Sequence, residues 1–265
     1  MIRVCTDSSS LLPSSVAAAL GVSVAPVGMA LDGRSFEEGV DLDVDGFYAR
    51  LELGARATTS QPSPGRLALL YEEAADAGAT QVISIHVDGR VSGTVGAAAL
   101  AARDARIPVT VVDTGTASFG VALCVIAAAE SLAAGRSVAT VTKRIRAVVA
   151  GIGNVFVAGG APGGRVPSAP GLPLLSFVEG ATRPVGSATG LDDAAAAMAR
   201  HISEQGEGLH VAVGHASIAT RSAADVLAAQ AELLPGVIEV IRYRIRPAVG
   251  AHTGPLSFGA FWWSP

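Results

Sequence analysis

From Ile2 to Ala150 the chain alternates short β-branched runs with alanine-rich stretches of helical character. The short runs predict strands over Ile2–Thr6, Val22–Val27, Val82–Val87 and Val109–Asp113. The alanine-rich stretches predict helices over Ser14–Leu20, Phe47–Leu53, Ser63–Ala77, Gly93–Ala105, Ser118–Ala134 and Ser137–Ala150. Local punctuation agrees: Ser63-Pro64 is an N-cap followed by a proline at the first helical position, and Gly78 is a helix stop. The run Leu31-Asp32-Gly33-Arg34-Ser35 has hairpin-turn chemistry. Repeated strand–helix alternation predicts an α/β fold with a parallel sheet covered on both faces. Ligands of such sheets gather at the carboxyl ends of strands, which directs attention to the loops after Thr6, Val87 and Asp113.

The texture changes near Gly151. Residues 159–190 are rich in Gly, Pro and Ser, with short apolar pieces such as Leu172 to Phe177. Helical stretches return at Asp192–Gln205 and Ile218–Leu234, with strands at Leu209–Gly214 and Val237–Tyr243. We therefore expect an N-terminal α/β domain over residues 1–150 and a second α/β domain over 151–265, with no internal repeat.

Composition narrows the class. Half of the 265 residues are hydrophobic and net charge is -4, which allows a sizeable core and excludes a basic nucleic-acid surface. The uncharged apolar stretch Ala117 to Ala129 is too short to span a bilayer and is followed by Glu130. Cys5 and Cys124 sit in apolar runs and read as buried thiols of a cytoplasmic protein.

Several separated segments carry candidate chemistry. Thr6-Asp7-Ser8-Ser9-Ser10 with Leu11-Leu12-Pro13 opens the chain, and Thr59-Ser60-Gln61-Pro62-Ser63 leads into a helix. Val91-Ser92-Gly93-Thr94, Val112-Asp113-Thr114 with Ala117-Ser118-Phe119-Gly120, Gly163-Gly164-Arg165 and Gly250-Ala251-His252-Thr253-Gly254-Pro255 follow in order. Together they resemble the DegV family, bacterial proteins that bind fatty acids, over nearly the whole chain. The departures are Leu11 where an acidic residue is common, Ala161-Pro162 where a positive residue often stands, and Leu172-Pro173 in place of a Lys-Pro pair.

That resemblance implies a two-domain fold with the ligand site between the domains. It implies one long-chain fatty acid as the bound ligand, with no other cofactor and no metal. It further implies that the carboxylate is presented to a separate ATP-dependent subunit of fatty acid kinase, and that the resulting acyl phosphate is carried onward. The protein would then be a cytoplasmic monomer and a substrate-presenting subunit, without its own enzymatic activity or stable membrane insertion. Family positions carried over place Thr59, Ser60, Ser92, Gly93, Thr94 and His252 at the ligand. Arg165 and His252 would assist phosphoryl transfer.

The residues themselves are suited to an anion. Hydroxyls at helix starts sit beside unpaired N–H groups and a partial positive charge, which favour carboxylate or phosphate. Ser and Thr are also ordinary N-caps, and capping alone explains most such residues until the resemblance is added. His252 lies among Gly250, Gly254 and Pro255, a setting that reads as a tight loop; His86, His201, His210 and His215 read as surface or core.

Other motifs lead nowhere. Asp41, Asp43, Asp45, Gly46 and Glu52 have the spacing of a calcium loop, but no helix precedes them and Phe47 to Leu51 already looks helical. Asp43 or Asp45 as an N-cap explains them better. The lone Lys143 is followed by Arg144, so there is no P-loop, and Gly151-Ile152-Gly153 lacks the third glycine of a dinucleotide fingerprint. The rival function is a stand-alone esterase or phosphate-ester hydrolase using Ser92 and His252, although Ser92 lacks the flanking glycines of a nucleophile elbow.

Overall fold

The opening strands pair in parallel. In a computed structural model describing residues 1–159 and 171–264, β1 (Ile2–Asp7) leads through α1 (Ser14–Leu20) to β2 (Ser23–Ala25). The chain then makes β3 (Gly28–Leu31), β4 (Arg34–Glu37), α2 (Val44–Glu52) and β5 (Ala57–Ser60). It continues as α3 (Pro64–Asp76), β6 (Gln81–His86), α4 (Thr94–Arg103), β7 (Val109–Asp113), α5 (Phe119–Ala133) and α6 (Val138–Gly151).

Strands β2, β1, β6 and β7 lie side by side in that order, all parallel, with Cys5 opposite Ser23 and Val4 opposite Ile83. On one face α3 and α4 bury Leu67, Tyr71, Ala74, Ala97, Ala98 and Ala101 against Cys5 and Val82. On the other face α5 lies against β1 and β6. Leu67 is fully enclosed; burying a leucine contributes about 1.5–3 kcal/mol. The chain leaves β1 toward β2 on one side and later adds β6 and β7 on the other, so a topological switch point lies between β1 and β6. This first unit comprises Met1–Gly28, Glu37–Val40 and Thr59–Ala150.

The second unit is discontinuous. Besides residues 151 onward it takes in Met29–Phe36 and Asp41–Thr58. Its later part runs β8 (Gly153–Val157), β9 (Leu172–Val178), β10 (Ala181–Ala188), α7 (Leu191–Ser203), β11 (Leu209–His215) and α8 (Arg221–Glu232). After these come β12 (Val237–Arg244), α9 (Pro247–Thr253) and β13 (Phe258–Trp263). The sheet order is β10-β9-β8-β13-β11-β12; β11 and β12 are parallel and the other neighbours antiparallel. Met198 and Ile202 of α7 and Leu227 of α8 close one face over Val155, Val211, Phe258 and Trp262.

Tyr48 holds helix α2 against the rest of the second unit. Tyr48 donates its hydroxyl to the Ile245 carbonyl at 2.8 Å, and its ring occupies the space a Cβ on Gly250 would need. Asp43 caps α2 by accepting from the Gly46 N–H at 2.6 Å, so the acidic run here starts a helix. The Asp32-Gly33 turn has φ of 49° and 79°, the left-handed pair that a two-residue hairpin requires. The Asp32 carboxylate accepts from the Arg56 N–H, which with Arg50 holds its pKa below the usual carboxylate value.

Sequence pattern missed several strands: β5, β8, β9, β10 and β13. Pro173 and Pro184 made β9 and β10 look like loop, but β10 is the edge strand and its register shifts just after Pro184, settings in which a strand tolerates proline. The reading of His252 as part of a tight loop also needs correction. Pro247 starts α9 and Gly254, at φ 85°, follows its end, so His252 stands on the last helical turn. Gly250 is a close-approach residue inside that helix, not a breaker.

Candidate functional site: hydroxyl-bearing helix starts of the first unit

Two of the segments singled out in the sequence meet within the first unit. The side-chain amide of Gln61 lies against Gly93, with Nε2 3.0 Å from where a Cβ would stand. Thr59 and Ser60 are at the end of β5, where Ser60 covers Gly28. Ser63 caps α3 by accepting from the Arg66 N–H at 3.1 Å.

Helix α4 begins one residue later than the sequence suggested, with Gly93 as the N-cap and no side-chain cap on it. Ser92 Oγ accepts from the Thr94 N–H at 3.3 Å and lies 2.9 Å from Thr94 Oγ1. A hydroxyl that already accepts from an amide can turn its own proton toward Thr94 or toward an anion. The N–H groups of the first turn of α4 beyond Thr94 add to that preference.

The loop carrying Ser92 is braced. Asp88 is nearly sealed from solvent and grips the Arg90 guanidinium with both oxygens, at 2.7 and 2.9 Å. Arg90 holds the Asp88 carboxyl below its ordinary pKa despite the burial. The Asp88 carbonyl accepts the Val91 and Ser92 N–H groups, and Asp113 at the end of β7 accepts from Gly89 and Gly115. Ser118, just before α5, has φ 57° and ψ -139°, a conformation that ordinarily belongs to glycine.

His252 belongs to the second unit and is exposed on α9, although the protein around its ring lowers its pKa. Arg165, with Gly163 and Gly164, lies outside the described residues.

A network the sequence reading did not find runs between the switch-point strands. His86 Nδ1 is 2.7 Å from Asp7 Oδ2, and its Nε2 is 2.7 Å from Ser84 Oγ, which in turn bonds Tyr71 Oη at 2.8 Å. Asp7 Oδ1 accepts from the Ser9 N–H at 3.0 Å and from the Ser9 hydroxyl. Ser84, His86 and Asp7 have the connectivity of a hydrolase triad, yet all three are 0% exposed and Ser84 is mid-strand. No substrate reaches that serine; the network ties β1 to β6. The legible signal was two polar residues, Ser84 and His86, at period two on one face of an apolar strand.

Among the described residues there is no group of acidic, histidine and cysteine side chains placed to hold a metal ion. Nor is any helix among them long and apolar enough to cross a membrane.

The family model of DegV matches residues 1–264. The chain belongs to the DegV family. A DegV domain-containing protein of Mycobacterium tuberculosis is 30% identical over 97% of this chain and 95% of its own length. Among solved structures, a fatty-acid-binding DegV family protein from Thermus thermophilus superposes with TM-score 0.88 at 30% identity, covering 100% of this chain and 99% of that one. DegV of Bacillus subtilis, described as a fatty acid binding protein, has TM-score 0.86 at 25% identity, over 100% of this chain and 99% of that one. The DegV fold of these proteins is the two-part α/β architecture described above.

Proposed function

We propose that this protein binds one long-chain fatty acid and presents its carboxylate to a separate ATP-dependent kinase subunit. The observation that carries the reading is the full-length match to the Thermus thermophilus fatty-acid-binding protein. The braced Ser92–Thr94 helix start, with its donor-rich geometry, supports it. In this reading Thr59, Ser60, Ser92, Gly93 and Thr94 hold the carboxylate, and His252 contributes a further hydrogen bond.

The energetics assign different jobs to head and tail. A tail of about fourteen methylenes contributes ~11 kcal/mol at ~0.8 kcal/mol per CH₂. A hydroxyl hydrogen bond contributes about 1 kcal/mol. Affinity therefore comes from the tail, and the head-group residues set which atom faces the kinase.

In the transfer step a carboxylate oxygen would bond to the γ-phosphorus of ATP as the bond to ADP breaks, leaving an acyl phosphate on this protein. Negative charge converges there, so Arg165 and His252 would lower the barrier more than they aid ground-state binding.

Lipid extracted from denatured, purified protein and read by mass spectrometry should contain about one fatty acid per chain. After delipidation, binding of long-chain acids should saturate. Arg165→Ala and His252→Ala should retain that binding and lose acyl-phosphate formation with a cognate kinase. Protein without extractable fatty acid and without saturable binding would sink the proposal; normal phosphorylation by both variants would remove the role given to Arg165 and His252.

A further inference from the structure

We propose that the pocket at the carboxyl ends of β11 and β12 is a second ligand site, suited to a phosphate monoester dianion. The two strands form the parallel pair of the second sheet, and the chain leaving β11 passes through a short 3-10 helix, Ile218–Thr220, into α8. Carboxyl ends of parallel strands next to a helix start are where an α/β unit receives anions. The pocket measures about 410 Å³, within the range of small-ligand sites.

Its lining is positive on balance. Arg221, Arg242, Arg244 and His215 line it, with Asp225 as the carboxylate among the lining side chains. Arg242 is ion-paired with Asp225. Arg244 is fixed in place: its Nε donates to the Ala216 carbonyl at 2.8 Å, and its guanidinium pairs with Asp45 and lies over the Tyr48 ring. Arg221 opens α8, and among the described residues its guanidinium has no hydrogen-bond or ion-pair partner. A pocket that gathers three guanidinium forks, one of them uncommitted, offers more donors than the two oxygens of a carboxylate can accept. A phosphate monoester presents three terminal oxygens and carries close to two charges.

His215 reports the same field. Burial lowers its pKa first, then the charges of Arg244 and Arg221, with Asp225 and Asp45 opposing. A dianion bound among these groups would reverse the sign of that repulsion and raise the His215 pKa. This site shares no residue with the one proposed for the fatty acid, so the two readings stand or fall separately.

The test uses the full chain as purified. Glycerol 3-phosphate is titrated while the imidazole proton signals are followed by NMR, with His215→Gln identifying the relevant one. We expect a saturable shift of the His215 signal, a higher His215 pKa in the complex, and at least tenfold weaker binding by Arg221→Ala/Arg242→Ala. Both replaced side chains are exposed, so the variant should keep its fold, which an unchanged far-UV circular dichroism spectrum would verify. Sedimentation with phosphatidylcholine vesicles containing phosphatidic acid distinguishes the source. Vesicle binding lost in the double variant points to a lipid headgroup, and binding of glycerol 3-phosphate alone points to a soluble ester. The proposal is overturned if neither probe saturates, if the double variant binds both as the parent does, or if sodium chloride at equal ionic strength gives the same shift.

Discussion

His86 Nδ1 and Asp7 Oδ2 lie 2.7 Å apart with neither side chain reached by solvent. They close the end of the switch point, joining the last residue of β1 to the last residue of β6. Removing one partner leaves the other buried without its complement, which costs about 3–5 kcal/mol. Asp7→Ala should lose that much in urea unfolding, and Asp7→Ala/His86→Ala should cost less than the two single changes added. A loss below about 1 kcal/mol for Asp7→Ala would show that the pair behaves like a surface contact.

Gly250→Ala should destabilise the protein, because the new methyl enters the space filled by Tyr48. Overpacking of this kind costs about 1–3 kcal/mol. Tyr48→Phe, which deletes only the bond to the Ile245 carbonyl, should cost about 1 kcal/mol. Thermal melting of Tyr48→Leu/Gly250→Ala checks the explanation. If the two losses simply add, the clash is not with Tyr48.

Burial pushes the Cys5 and Cys124 thiols up to about 12. In the native protein neither should react with iodoacetamide at about pH 8, where an unfolded thiol ionises appreciably, and both should react once urea is added. The linkage has a definite sign. Above about pH 8.5 the unfolded chain gives up thiol protons that the native state keeps, so stability falls as pH rises toward the native values. Unfolding curves of Cys5→Ala/Cys124→Ala should show a shallower decline across that window; an unchanged slope would mean other groups cause it.

On the fatty-acid reading, Ser92→Ala and Thr59→Ala should each weaken binding only about fivefold, the equivalent of one hydrogen bond. The tail contribution is untouched by either change. A hundredfold loss, about 2.7 kcal/mol, in calorimetric titration of the delipidated protein would show that the head group dominates instead.

The parallel half of the fold was legible because its signals are local. Ser63-Pro64 and Gly78 bracket α3, and the strand β7 has the very bounds that its β-branched run suggests. The second sheet was harder. Strands β8 and β13 are mostly buried apolar runs that pair with each other from far apart in sequence. Site legibility divides the same way. Ser92 and Thr94 sit within one short segment, whereas Asp7 and His86 are 79 residues apart and meet only because β1 and β6 are neighbours. Nothing in the spacing of Arg221, Arg242 and Arg244 marked them as sharing a pocket; the parallel pairing of β11 with β12 brings them together.

Strand β13 follows every one of its sheet partners in the chain yet sits in the middle of the sheet, between β8 and β11. During synthesis on a ribosome, β8, β9 and β10 emerge well before the strand that joins them to β11 and β12. Before β13 pairs, β8 and β11 have unsatisfied inner edges, the kind of surface that invites association between nascent chains. Insertion of β13, rather than growth outward from an early strand, joins the two parts of this sheet.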